Sequence, residues 1–112
     1  MTRPSDRHVD IGAAALEAYD LEPGDVLSGT PETAELSVTT VGAAEGGIWE
    51  ITPGTVKDVE KDEAFVVLSG EGTITFADGE VVELGPGSLV KLNAGEETTW
   101  EIRSTLRKVY VV

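Results

Sequence analysis

The sequence predicts an all-β domain, an antiparallel jelly-roll barrel preceded by a short N-terminal arm. Three observations carry this. Apolar residues recur with a period of about two from Leu36 onward. Gly, Pro and Asn cluster between the short apolar runs, and no stretch sustains a helical period for more than a few residues. Short strands punctuated in this way favour a sandwich or closed barrel over a parallel βαβ design. A chain of 112 residues has room for one such domain, with a core that needs no disulfide or structural metal.

Taken in order, residues 1–10 are polar and read as a leader, and Ile11–Tyr19 predicts a short helix begun by Asp10, with Leu16 and Tyr19 three apart. Residues 1–20 are therefore expected as leader and helix, and 21–112 as the β domain. Pro23, Gly24, Ser28, Gly29 and Pro31 interrupt any longer helix and predict an arm laid over the body. Leu36, Val38 and Thr40, then Ile48 through Ile51, alternate as half-buried strands do. Thr73–Leu84 predicts a hairpin: Ile74 and Phe76 alternate with threonines, Asp78-Gly79 offers a type I′ turn, and Val81, Val82 and Leu84 return. After Gly85-Pro86-Gly87 come strands at Leu89–Leu92, Thr98–Ile102 and Lys108–Val112, for seven to nine in all.

Composition excludes several functions. A formal net charge of −13, from 21 acidic and 8 basic residues, repels polyanions, so nucleic acid and anionic membranes are not expected partners. The absence of cysteine removes disulfides, thiolate metal sites and thiol nucleophiles. No stretch approaches the roughly 18 consecutive apolar residues of a membrane span, and the polar start carries no apolar signal core. The expectation is a soluble cytoplasmic protein. No nucleophile elbow, phosphate-cradling loop or dinucleotide fingerprint is present.

The succession Gly47-Ile48-Trp49-Glu50, Thr52-Pro53-Gly54, Asp62-Glu63, Leu68-Ser69-Gly70, Gly85-Pro86-Gly87, Thr99-Trp100-Glu101 and Arg107-Lys108 resembles the short bacterial cupins related to ureidoglycine aminohydrolase and to ethanolamine-utilisation cupins. The resemblance runs from about Leu21 to the C-terminus and implies a jelly-roll barrel. It also implies a metal site built from a His-x-His pair, a Glu and a third His. Here Glu63 and Gly70 occupy the last two places of the first motif, but the histidine pair falls within Val56–Val59, where no imidazole stands. The third histidine aligns with Thr98. His8, the one histidine, lies in the leader. The aminohydrolases look like two cupin units in tandem, whereas this chain has one, so their activity does not transfer.

Several residues are then candidates for a pocket. Thr98, Trp100 and Ile102 share one strand face, which the resemblance turns into the barrel. Trp49 and Trp100 read either as core or as aromatic walls for a small organic ligand. Glu63 in an apolar barrel would need a partner or would hold a proton, which suits general acid or base work; alternatively it belongs to the solvated charge run Asp58, Glu60, Asp62, Glu63. Asp58 with Glu63 is the weak alternative for a cation held by oxygens. Lys91 either points inward to pair with Glu63 and hold an anionic substrate, or lies at the sheet edge. Tyr110 offers a phenol, and only one of the neighbours Trp49 and Glu50 can face inward.

The resulting expectation is a cupin that binds a small polar metabolite without a transition metal or other cofactor, with acid–base chemistry at Glu63. The alternatives are a non-catalytic ligand-sensing or accessory cupin, and a metal-dependent enzyme using carboxylate ligands. A homodimer is expected, because unpaired strand edges invite pairing or must be shielded.

Overall fold

The computed structural model describes residues 7–112. Nine strands are present among them: β1 Glu17–Tyr19, β2 Val26–Ser28, β3 Thr33–Val41, β4 Ala44–Ile51, β5 Gly54–Val59, β6 Glu63–Phe76, β7 Val81–Leu84, β8 Leu89–Leu92 and β9 Glu97–Val111. All pairings are antiparallel, and the sheet curls into a jelly-roll barrel.

The long strand β9 is the spine of the barrel. Along one edge it pairs first with β5 (Glu97 to Ile102 against Val59 to Gly54) and then with β4 (Leu106 to Val111 against Ile51 to Gly46). β4 and β5 are separated by Thr52-Pro53, where proline has no N–H to donate to the ladder. Along its other edge β9 pairs with β6 over nearly its full length. β3 and then β1 extend the sheet beyond β4, β2 extends it beyond β5, and β7 and β8 both pair with β6.

Alternation along β9 sets the interior. Thr98, Trp100, Ile102, Leu106, Lys108 and Tyr110 are all buried, and every one has even parity. Ile51, Val56, Phe65, Val67, Ile74, Leu92, Trp100 and Leu106 pack together as the apolar core. Ile48 points the other way, toward the outer face it shares with Val109, yet it is fully buried. On that same face the Arg107 guanidinium donates to the carbonyls of Ile11 and Ala14 and is paired with Glu50 at 2.8 Å, so it pins the N-terminal arm to the barrel wall.

Three local expectations change. The helix over Ile11–Tyr19 does not form. Asp10 does act as a cap, its carboxylate accepting from Gly12 N–H and its carbonyl from Ala13 and Ala14, but only one turn results. A helix so short is marginal, whereas Glu17–Tyr19 gains a ladder on the open edge of β3. The sheet therefore begins inside the segment expected as leader and helix. The Asp78-Gly79 turn is not type I′, since no described non-glycine residue has a positive φ. Gly79 N–H closes a turn on the Phe76 carbonyl and Gly79 itself is left-handed at φ 95°, the three-residue hairpin loop that ends in a glycine bulge. Finally, the strands expected at Thr98–Ile102 and Lys108–Val112 are not separate but run together in β9, which ends at Val111. Register shifts opposite Ser69 and Glu71 absorb the bend, and Gly70, at φ 92°, passes against the Thr105 backbone where no Cβ fits.

Candidate functional site

The barrel interior holds a charge that its apolar walls do not neutralise by themselves. Lys108, on the inward face of β9, is only 6 % exposed. Its Nζ lies 4.3 Å from the centroid of the Phe65 ring, 4.8 Å from Trp49 and 5.0 Å from Trp100, and so sits in a cage of three aromatic rings. Trp49 and Trp100 meet edge to face with centroids 5.7 Å apart. The counter-charge comes from β6: Glu63 Oε2 accepts from Lys108 Nζ at 2.5 Å. Burial without a partner would be prohibitive for either ion, and the pair with its rings answers that need.

A second acidic group stands beside this pair. Val56, Asp58 and Glu60 continue one inward parity at the end of β5, where Glu60 is 8 % exposed. Glu60 Oε2 accepts from the Thr98 hydroxyl at 2.6 Å and from Trp100 Nε1 at 3.0 Å. The Glu60 backbone is tied to the Asn93–Glu96 turn through Glu96 O and Gly95 N. Burial raises the pKa of Glu60 above its ordinary value, and the neighbouring Asp58 carboxylate raises it further against the opposing Thr98 and Trp100 bonds. Asp58 is also raised, by burial first, although the Val59 N–H and Glu60 stabilise its charged form. The two carboxyls titrate as a pair in which a proton is retained more readily than on an isolated side chain.

Tyr110 completes the wall. Its phenol is pushed up to about 12 by burial and then by the nearby Glu35 carboxylate. The ring lies against Gly47, its ladder partner, where an added Cβ would fall 2.5 Å from Tyr110 Cζ. Above these residues Tyr19 of β1 accepts from Trp49 Nε1 at 2.6 Å, so the arm contributes to the rim. The cavity, open to solvent at one side, has a volume of about 510 Å³ and is lined by Trp49, Asp58, Glu60, Glu63, Trp100, Lys108 and Tyr110, among others. An adjoining recess of about 550 Å³ opens past Lys57, Val59 and Thr99 on the outward side of β5 and β9.

The structure thus brings together Trp49, Glu63, Trp100 and Tyr110 as lining, with Thr98 directly behind Glu60. Lys91 is not among them. It has the parity of Leu89, outward on β8, and its ammonium donates to Leu92 O and Asn93 Oδ1, with Asp62 3.9 Å away. Glu50 also faces outward, to Arg107. Of the stretch expected to replace the histidine pair, only Val56 is buried; Lys57, Asp58 and Val59 are exposed, although Asp58 shares the parity of Val56 and Glu60 and borders the cavity. Reading the sequence by motif passes over Lys108 and Glu60, the two most buried charged side chains of the site. For Lys108 the signal was present, since it continues the even parity of Thr98, Trp100 and Ile102.

The metal implied by the resemblance is not accommodated by these side chains. Asp58, Glu60 and Thr98 stand at or beside the ligand positions, the remaining Glu63 is engaged by an ammonium, and that ammonium puts positive charge inside the barrel. Among the described residues no three His, Cys, Asp or Glu side chains gather to hold a cation.

Comparison with known proteins gives the architecture its context. The structure is similar to the EutQ protein of Clostridium difficile, with TM-score 0.63 and 20 % identity, over 83 % of this chain and 79 % of that one. It is similar to a predicted oxalate decarboxylase of Thermotoga maritima, with TM-score 0.67 and 18 % identity, over 93 % and 96 % of the two chains. A Pseudomonas syringae protein of the DUF861 family superposes with TM-score 0.77 at 20 % identity, over 88 % of this chain but 44 % of that one. No curated protein matches by sequence. The model of the EutQ-like cupin domain matches residues 38–110, well over half of the chain, and the protein therefore belongs to the EutQ-like cupin family.

Proposed function

We propose that the barrel binds a small polar metabolite and acts on it by proton transfer, without a transition metal. The observation that carries this reading is Glu60: a carboxyl buried in the wall of a 510 Å³ cavity, oriented by Thr98 and Trp100, with its pKa raised by burial and by Asp58. Such a group carries a proton at a pH where ordinary carboxyls have lost theirs, which is what a general acid needs. In this reading the proton-transfer role expected at Glu63 passes to the Asp58–Glu60 pair, because Glu63 is committed to Lys108. Trp49 and Trp100 supply apolar surface, while Lys108 and the Tyr110 phenol supply hydrogen-bond donors.

The test is a metabolite panel screened by thermal shift on the wild-type protein, since a ligand that binds only the folded state raises its melting temperature. A stabilising compound should lose its effect in Trp100→Ala, and if it is turned over, Glu60→Gln should abolish turnover while binding persists. Turnover undiminished in Glu60→Gln would remove the acid–base part of the reading. We propose a homodimer alongside it, supported by Val41, Val111 and Val112, which lie at one corner of the sheet and are 75 %, 54 % and 40 % exposed. Light scattering at the monomer mass would count against the dimer and leave the site untouched.

A further inference from the structure

We propose that Lys108 is a covalent attachment point: its amine forms an imine with the carbonyl group of a small aldehyde or ketone admitted to the cavity. The proposal rests on the reading of the barrel as a small-molecule site and names the substrate class.

Four features of the geometry support it. Lys108 is 6 % exposed yet lines the cavity, so its nitrogen is within reach of a molecule held there. A buried ion pair is no better for stability than apolar side chains of the same volume, so packing alone gives no reason for a lysine there. Lysine is the side chain whose amine serves as a nucleophile toward carbonyls. Finally, the surroundings suit the product as well as the reactant. An iminium is a cation like the ammonium it replaces, so the ring faces of Phe65, Trp49 and Trp100 and the Glu63 carboxylate hold both.

The step balances within the site. The Lys108 ammonium cedes a proton to Glu63, 2.5 Å away. The freed lone pair forms a C–N bond as the carbonyl π pair moves to oxygen, which takes a proton from the Asp58–Glu60 pair. The nitrogen of the resulting carbinolamine returns one proton to that pair. The C–O bond then breaks, the hydroxyl leaves as water on the proton held by Glu63, and the nitrogen lone pair completes the C=N bond. The ammonium and the carbonyl compound have become an iminium and one water, with every carboxyl restored.

The experiment is reductive trapping. The protein is incubated separately with acetaldehyde, glycolaldehyde and pyruvate in the presence of sodium cyanoborohydride, and its peptides are mapped by mass spectrometry. The expected result is a secondary amine on Lys108, in excess of that on the exposed Lys57, Lys61 and Lys91, for at least one compound. That label disappears in Lys108→Arg, which keeps the charge. Unfolding wild-type protein in urea before trapping should abolish the selectivity, a control that stands even if the arginine variant fails to fold. Label confined to the exposed lysines would overturn the proposal. If a compound raises the melting temperature without labelling Lys108, the imine falls and the binding site stands; if nothing in the metabolite panel binds and nothing labels Lys108, both fall.

Discussion

Lys108 and Glu63 each depend on the other for a tolerable environment. Truncating one partner of such a pair leaves an uncompensated charge against aromatic rings, so Glu63→Ala should cost about 3 kcal/mol by denaturant unfolding. The double replacement Lys108→Met with Glu63→Leu should recover most of that loss, because the apolar cage accepts both side chains. For Asp58 and Glu60 the sign runs the other way. Their folded pKa values lie above the ordinary 3.8 and 4.5, so the stability they contribute is fully present below those values and is lost as pH rises through the raised ones. Glu60→Gln should therefore gain stability relative to wild type between acidic and neutral pH, a difference measurable by urea melts across that range. These residues also mark how far the sequence could be read. Trp49, Trp100 and Tyr110 were legible from strand alternation and residue type. Glu60 was not, because a carboxylate in an alternating charge run reads as solvated until the end of β5 is known to turn inward.

The strands were legible in number and in their apolar faces, since period-two patterning survives in any half-buried strand. Their lengths were not. Gly70 and Ser104 look like breaks in sequence, whereas in the barrel they sit where β6 and β9 bend and continue. Two glycines separate the contributions of conformation and space. Gly79 is left-handed with nothing within 4 Å of an added Cβ, so Gly79→Ala should cost about 1 kcal/mol, for backbone strain alone. Gly70 is left-handed and pressed against the Thr105 and Leu106 backbone, so Gly70→Ala should cost at least about 3 kcal/mol, with the larger fall in melting temperature. β1 was missed for a different reason. Its three residues are exposed and carry no pattern of their own, and only the ladder offered by β3 makes them a strand.

On the scale of the whole molecule, a formal charge of −13 on 112 residues means that folding compresses like charges. Screening should relieve this, so the melting temperature should rise as sodium chloride is raised from low to moderate concentration, the reverse of a protein held by surface ion pairs. The described residues contain no helix long and apolar enough to cross a membrane. The molecule also reports on itself. Its two tryptophans, Trp49 and Trp100, stand 5.7 Å apart in the wall of one cavity, and there are no others in the chain. Nearly all of its intrinsic emission therefore originates at the site, with one indole bonded to Tyr19 and the other to Glu60. Occupancy of the barrel, protonation of Glu60 and detachment of the arm should each change the colour or intensity of that light, without a label and without altering a single residue.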